Sequence, residues 1–172
     1  MGAKQQGADA TAGRWMTIPR TLTFVQHASD VLLMKRAAHK RVFPNQYNGL
    51  GGHIERHEDP LSSARREILE ESGLEVSNLS LRAIHHIDAG ESSGIMLFVF
   101  TAISPTRDFT SDTSEGTLEW VPIERLNEYD LVEDLPLILP RILTMQEQDT
   151  PQFAHVSYDD TDIIRIRYGD TD

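Results

Sequence analysis

A glycine-rich loop that leads into a sharply delimited helix, within residues 48–74, constrains the fold of this chain more than any other feature. Three of the five residues in the run Asn48–Gly52 are glycines, which is typical of backbone that turns sharply or closely approaches another group. Asp59-Pro60 has the pattern of an N-cap acceptor before a proline in the first helical turn, and Gly73 has that of a C-cap. The sequence therefore predicts a helix over residues 60–72.

Two neighbouring faces of this helix differ in character. An apolar stripe at helical spacing predicts the buried face, and it comprises Leu61, Ala64 and Ile68. Three carboxylates at spacings i, i+3 and i+4 form the other face, and they are Glu67, Glu70 and Glu71. Such close like charges repel by a few tenths of a kcal/mol per pair. Either this face is simply solvated, or a cation neutralises it, and oxygen ligands favour Mg²⁺ or Mn²⁺.

The spacing around the helix favours the cation. Glu58 follows Gly52 after five residues, and the run Arg66–Leu74 begins after seven more. This is the full pattern of the Nudix box, GX5EX7REUXEEXGU, in which U is aliphatic. A chance match to its seven fixed residues has a probability on the order of 10⁻⁸ per window. The chain therefore resembles the Nudix (MutT-like) hydrolases.

The resemblance implies an α+β fold, an α/β/α sandwich with a mixed β-sheet in which the box forms a loop–helix–loop. It also implies an enzyme that uses a divalent metal to cleave nucleoside diphosphates linked to another group. Glu67, Glu70 and Glu71 would be the metal-binding and base carboxylates, and the Gly51 carbonyl would be a backbone ligand. The structural residues of the box would be Gly52, Glu58, Arg66 and Gly73.

A further carboxylate lies in the loop before Trp120. Glu115 matches a position where related Nudix enzymes carry an additional metal ligand or base, and Glu119 is the second choice. Since a loop glutamate is by default solvated, that alternative stays open. The general base is then either a box glutamate or this loop glutamate.

The flanks of the box resemble one branch of the family, the oxidised-purine nucleoside triphosphatases (8-oxo-dGTP diphosphatases). In the run YNGLGGHIE, which begins at Tyr47, the resemblance implies that Asn48 contacts the purine, with Tyr47 beside it. Glu133 and Asp134 fall where the branch has paired acids that read the base edge. The tail, residues 153–169, resembles the closing hairpin of that branch.

Other interpretations of these residues remain open at this point. Neighbouring carboxylates repel, so one of Glu133 and Asp134 can keep its proton and donate while the other accepts, but Asp134 could equally cap the following helix. Asn48 is also a typical turn residue before a glycine. A basic cluster ahead of the loop either steers a triphosphate or is solvated surface; it comprises Lys35, Arg36, Lys40 and Arg41.

Composition limits the partners. There are 27 acidic residues against 16 Lys and Arg, a net charge of −11, which argues against a surface for nucleic acid polymers or anionic membranes. The absence of cysteine excludes disulfides, thiolate metal sites and cysteine nucleophiles. No apolar run approaches the roughly 18 residues of a membrane span. We expect a soluble, cytoplasmic monomer or homodimer whose partner is a small nucleotide.

The remaining sequence predicts the domain organisation. Residues 1–17 lack periodicity, which predicts a flexible leader before a single domain over residues 18–169. A second major helix is expected within residues 131–146, where it either begins close to Pro140 or kinks there. Strands are predicted over residues 20–26, 30–35, 78–87, 95–103, 117–121, 153–158 and 162–168, with a short helix over 122–128.

Taken together, the resemblance implies a metal-dependent pyrophosphohydrolase that converts a nucleoside triphosphate, with an oxidised purine as the expected base, to the monophosphate and pyrophosphate. One alternative is a Nudix hydrolase of ADP-ribose or a nucleotide sugar. Another is a Nudix-fold binding module without turnover, against which the intact carboxylates of the box argue.

Overall fold

The computed structural model describes residues 3–8, 11–110 and 114–169. Its strands are β1 (Met16–His27), β2 (Asp30–Arg36), β3 (Tyr47–Asn48), β4 (Ser77–Ile87), β5 (Ser93–Ile103), β6 (Gly116–Pro122), β7 (Gln152–Tyr158) and β8 (Ile164–Tyr168). Its α-helices are α1 (Pro60–Ser72) and α2 (Leu135–Ile142), and 3₁₀ turns cover Ala3–Gln6 and Ile123–Glu128.

The strands form one mixed sheet in the order β3-β2-β1-β5-β4-β7-β8, and β6 pairs with β2 along its whole length, on the edge opposite β1 and β3. The pairs β1–β5 and β4–β7 are parallel, and the others are antiparallel. Strand β5 lies at the centre of this order, as its continuous apolar run predicts. The terminal β7–β8 hairpin is confirmed and forms one edge.

The core consists of two apolar layers, one on each face of the sheet. Helix α2 covers one face, where Ile138, Leu139 and Ile142 pack against strand residues such as Leu22 and Phe24. Helix α1 covers the other, where Ile68 packs among a second set, Val25, Leu32, Leu50 and Leu118. A helix on each face of a mixed sheet is the α/β/α sandwich that the family resemblance implies.

Helix α1 begins and ends where its local sequence predicts. The carboxylate of Asp59 accepts from the N–H groups of Leu61 and Ser62 at 2.9 and 3.0 Å, and Pro60 occupies the first turn. Gly73 ends the helix in the left-handed region at φ +67°. Leu61, which was expected in the buried stripe, lies in the first turn of the helix and is 45% exposed, whereas Ala64 and Ile68 are fully buried.

Helix α2 differs from the prediction. It spans eight residues and contains Pro140 within it, so it neither extends over residues 131–146 nor begins at that proline. The residues before it are held elsewhere, because Tyr47 N–H donates to Asp130 O and Val132 N–H donates to Tyr47 O. These bonds dock the segment against β3 and make its first residues unavailable to a helix.

The N-terminal boundary of the domain stays a prediction. Strand β1 begins at Met16, and Trp15 stacks edge-on against His86 with ring centroids 5.1 Å apart. Trp15 and Met16 lie within the leader expected over residues 1–17. Residues 1, 2, 9 and 10 of that leader are outside the described part of the chain. In the described residues, no helix is long and apolar enough to cross a membrane.

Candidate active site

The glycine-rich loop is bonded along β1. Leu50 and Thr23 exchange backbone hydrogen bonds at 2.6 and 3.0 Å, and Thr21 N–H donates to Gly52 O at 2.9 Å. A side chain at Gly51 is excluded, because its φ is +145° and a Cβ there would overlap the Thr21 carbonyl. The loop therefore runs against the strand and turns its free edge towards α1.

Glu71 of helix α1 bonds to this loop. The Gly51 N–H donates to the Glu71 carboxylate (Oε2) at 2.9 Å. Burial raises the pKa of Glu71 to about 8, and the nearby Glu67 and Glu115 carboxylates add to the rise. Among the described residues, no donor is bonded to the carbonyl oxygen of Gly51. Glu71 is therefore a buried acid whose ionised form a nearby cation would stabilise.

Glu67 lies beside it and faces Gly52. A Cβ at Gly52 would come within 2.5 Å of Glu67 Oε1, so any other residue there would displace this carboxylate from its present position. Burial raises the pKa of Glu67, partly offset by a hydrogen bond that Arg66 donates at 2.9 Å. The loop and the helix thus shape one recess around two carboxylates.

Arg66 links the helix to the preceding loop. It forms a two-pronged ion pair with Glu58, with nitrogen–oxygen distances of 2.6 and 3.1 Å, and also donates to His53 O at 3.2 Å. The pairing with Arg66 lowers the pKa of Glu58 to about 2, and the hydrogen bond that the Glu55 N–H donates to Glu58 contributes. The same guanidinium reaches Glu70 at 3.0 Å, so it connects the structural pair to the acidic face.

The carboxylates line one acidic recess of about 380 Å³, formed by Gly51, Gly52, His53, Glu55, Glu67, Glu70, Glu71 and Glu115. In the part of the chain that the structure describes, no three His, Asp or Glu side chains are gathered closely enough to hold a metal ion as they stand. Glu70 is turned to Arg66, and Glu115 is turned to Lys40 at 2.6 Å. The four carboxylates expected to act together thus share a recess without yet converging.

A second cavity of about 560 Å³ adjoins the acidic recess. The two share Gly51, Gly52, His53 and Glu115. Its apolar wall comprises Leu22, Ile87, Ile95, Leu97, Val132 and Val156, and its polar groups include Asn48, Glu133, Asp134 and Tyr158. Apolar walls with a few converging polar groups are typical of a small-molecule site.

The polar groups of the cavity are partly pre-arranged. Tyr158 O–H donates to Glu133 at 2.7 Å. Burial raises the pKa of Asp134 to about 6, and the neighbouring Glu133 charge contributes. Asp134 occupies the N-cap position of α2, but its side chain makes no capping hydrogen bond. The Asn48 side chain accepts from the Gly49 N–H at 2.8 Å, as a turn residue does, while lining the cavity.

Tyr47 and Lys35 were expected to bind substrate, but the structure does not place them among the residues that line either cavity. The Tyr47 O–H donates to Glu119 at 2.9 Å, and Lys35 Nζ lies 5.7 Å from the centre of the Tyr47 ring. The reason is strand alternation, since side chains of adjacent residues point to opposite faces. Asn48 and Arg36 face the cavity, and the residues before each of them face away.

Glu119, the second choice for an additional ligand, is also held away from the acidic recess. Its two carboxylate oxygens accept from Tyr47 and Tyr129, each at 2.9 Å. Burial, together with the hydrogen bond to Glu119 and its negative charge, raises the pKa of Tyr47 to about 12. Of Glu115 and Glu119, the two candidates for an additional ligand, Glu115 alone is among the residues that line the recess.

Two cavity residues were missed in the sequence. Tyr158 lies in the predicted hairpin without a distinguishing signal. Arg20 begins the strand that was predicted over residues 20–26 and lies two residues before Leu22, so both side chains face the same side of the sheet. A charged residue on the apolar face of this predicted strand was the signal that could have identified it.

The family model for the NUDIX domain matches residues 16–142, and the chain belongs to this family of hydrolases. Two curated relatives are both called nucleoside triphosphatase NudI. The relative from Enterobacter sp. (strain 638) is 32% identical over 119 residues, which cover 63% of this chain and 84% of the relative. The relative from Klebsiella pneumoniae (strain 342) is 32% identical over 117 residues, which cover 62% and 83%.

Solved structures agree on the fold. A MutT protein from Bacillus halodurans matches with a TM-score of 0.74 at 24% identity, over 90% of this chain and 99% of that one. The NUDIX domain of Shewanella oneidensis NrtR, solved with ADP ribose, matches with a TM-score of 0.65 at 16% identity, over 81% and 95%. The α+β Nudix fold is thereby confirmed. Members of the family generally use divalent metal ions and bind small nucleotides.

Proposed function

We propose that this protein is a Mg²⁺- or Mn²⁺-dependent pyrophosphohydrolase that cleaves a purine nucleoside triphosphate, oxidised purines such as 8-oxo-dGTP included, to the monophosphate and pyrophosphate. The observation that carries the proposal is the junction of an acidic recess with a cavity that combines apolar walls and polar groups suited to a base. The NudI relatives, which are named as nucleoside triphosphatases, support this class of substrate.

The residues of the recess fit a divalent cation. Burial raises the pKa of Glu71, so a cation in the recess would favour its ionised form, and Gly52 leaves space for the Glu67 carboxylate beside it. We assign Glu67, Glu70, Glu71 and the Gly51 carbonyl as the oxygen donors, with Glu115 as either an additional donor or the base, a set that suits hard cations. A bound divalent cation would offset phosphate charge and make a bound water more acidic.

Glu115 has the place suited to a proton acceptor. It lines both cavities, and 43% of its side chain is exposed, so it can turn from Lys40 towards the recess. The box glutamates are held more tightly by Gly51 and Arg66. We therefore favour Glu115 as the residue that takes the proton from the attacking water, with a box glutamate as the alternative.

Base recognition is assigned to the far end of the second cavity. A protonated Asp134 can donate to a base while Glu133, held by Tyr158, accepts. Asn48 offers both a donor and an acceptor from β3. Such a mixture suits the altered edge of an oxidised purine, which carries an additional N–H and carbonyl.

A substrate panel tests the proposal. The panel consists of 8-oxo-dGTP, dGTP, dATP, dCTP, ADP-ribose and diadenosine polyphosphates, each incubated with Mg²⁺ while pyrophosphate and phosphate release are measured separately. We expect a purine triphosphate to be the best substrate, with pyrophosphate as the product. A preference for ADP-ribose, which the NrtR domain binds, would overturn the triphosphatase assignment.

Two matched variants test the residues. Glu115→Gln should lower kcat by two to four orders of magnitude, the usual contribution of a general base, with little change in KM. Glu75→Gln makes the same change at an exposed position beyond the helix and should leave turnover unchanged. If Glu115→Gln turns over at the wild-type rate, the base is a box glutamate.

A further inference from the structure

Arg20 is a partly buried cation without a partner. Its Nε atom is one of four buried side-chain nitrogens and oxygens in the described residues that make no hydrogen bond. Arg66, Arg107, Arg125 and Arg165 each contact a carboxylate, whereas Arg20 makes no ion pair within the described part of the chain. A buried N–H without an acceptor is costly, so a group that is not part of the described chain is expected to supply an acceptor to Arg20 Nε.

The charges around Arg20 have the same sign. Arg36 and Arg41 act on it electrostatically, and together with burial, the largest cause, they lower its pKa. The Nε of Arg36 donates a hydrogen bond to the Val42 carbonyl, which is neutral and therefore does not balance the positive charge of Arg36. Lys40, the next cation of the cavity wall, is balanced by Glu115. The cluster of positive charges favours the binding of an anion. Without an anion, the repulsion between these charges destabilises the folded protein.

The location of Arg20 identifies the part of a substrate that it would meet. Its backbone pairs with His53, and the next residue, Thr21, bonds to Gly52. Gly52 and His53 line both cavities, so Arg20 lies where the larger cavity meets the acidic recess. Consider a nucleotide whose base lies near Asp134 and whose scissile anhydride lies at the carboxylates. In this orientation, the phosphoryl group attached to the sugar lies beside Arg20.

We propose that Arg20, with Arg36 beside it, forms a metal-independent subsite for the phosphoryl group that is attached to the nucleoside. The inference rests on the proposed function for the identity of its occupant. The guanidinium supplies N–H donors in the fork geometry that matches phosphoryl oxygens, and the neighbouring cation adds attraction. The same contact holds the nucleoside monophosphate after cleavage, so this product inhibits the enzyme.

Binding in EDTA tests the subsite without metal and without turnover. Calorimetric titrations compare deoxyguanosine monophosphate, deoxyguanosine, inorganic phosphate and pyrophosphate on four proteins: wild type, Arg20→Gln, Arg20→Lys and Arg125→Gln. Arg125→Gln removes an exposed cation on the 3₁₀ turn and is the matched control for net charge. We expect the wild type to bind the monophosphate at least about tenfold more tightly than the nucleoside. Arg20→Gln should abolish this difference, Arg20→Lys should keep part of it, and Arg125→Gln should keep all of it.

Thermal unfolding without ligand separates a binding role from a structural one. Because Arg20 is desolvated beside like charges, Arg20→Gln should unfold at the same or a higher temperature than the wild type. A lower unfolding temperature together with an unchanged preference for the monophosphate would overturn the proposal.

The remaining outcomes are also decisive. Equal binding of monophosphate and nucleoside by the wild type would overturn the subsite. Binding of pyrophosphate but not of the monophosphate, dependent on Arg20, would overturn the nucleoside phosphoryl group as its occupant. The two proposals can also fail separately. If the wild type hydrolyses no compound of the substrate panel but still binds the monophosphate in EDTA in a manner that depends on Arg20, the proposed function is refuted and the subsite is retained.

Discussion

Replacing Glu71 by glutamine should abolish activity and stabilise the metal-free protein. The pKa of Glu71 is raised from 4.5 to about 8 by burial in the acidic recess. At pH 7 this acid is mostly protonated in the folded protein, whereas in the unfolded chain it is ionised. The cost of keeping it protonated is set by the distance between pH 7 and its ordinary pKa of 4.5, which is about 2.5 pH units. At about 1.4 kcal/mol per unit, burial of this group costs roughly 3 kcal/mol of unfolding free energy at pH 7.

The sign of the pH dependence follows from the raised pKa. The folded protein binds more protons than the unfolded chain between pH 4.5 and about 8, so its stability falls as pH rises through this range and levels off above it. Glutamine is neutral throughout and can still accept from the Gly51 N–H. In EDTA, Glu71→Gln should therefore match the wild type near pH 4.5 and exceed it by about 3 kcal/mol at pH 7.

Urea unfolding in EDTA at pH 5, 7 and 8.5 measures this difference, and exposed Glu75→Gln is the control that should follow the wild type. With Mg²⁺ added, the wild type should gain stability through binding and Glu71→Gln should gain little. The reasoning is refuted if Glu71→Gln is less stable than the wild type at pH 7 in EDTA, or if both lose stability equally with rising pH.

Three further substitutions test other parts of the site. Gly52→Ala places a methyl group 2.5 Å from Glu67 Oε1 and should weaken Mg²⁺ binding about ten- to a hundredfold in calorimetric titration; unchanged affinity would show that this carboxylate is not a ligand. Tyr158→Phe removes the 2.7 Å hydrogen bond to Glu133 and should raise KM for purine triphosphates about tenfold, whereas an equal effect on dCTP would exclude a role in reading the base. Glu119→Gln should leave Mg²⁺ affinity unchanged and lower the unfolding free energy by about 1 to 3 kcal/mol, because its carboxylate accepts from two tyrosines; weaker metal binding would place it in the site.

The local parts of this fold could be predicted from sequence, and the parts set by pairing could not. Helix α1 follows from Asp59, Pro60 and Gly73, because capping depends on residues next to the helix. Helix α2 was predicted too long because the segment before it is bonded to Tyr47, more than 80 residues earlier. A hydrogen bond between such distant segments leaves no periodic signal in either of them.

The same distinction applies to the site. The acidic residues of α1 share a face because their spacing alone requires it. Tyr47 and Asn48 were assigned together by resemblance, but β3 contains just these two residues and sends one to each face. The charge of Arg20 on the apolar face of a predicted strand was a signal in the sequence, but its lack of a hydrogen-bond partner is visible in the structure alone.

The two adjoining cavities are built from different stretches of the chain, and this has a consequence for how substrate preference can change. The acidic recess comes from the loop and helix between residues 51 and 71, together with Glu115, whereas the far wall of the larger cavity draws on Val156, Tyr158 and Ile164 of the terminal hairpin. That hairpin joins the sheet through β4 alone among the other described strands. In the proposed arrangement, exchange of this edge hairpin would alter base selectivity while the phosphate chemistry stays in place, so one catalytic unit could serve different nucleotides.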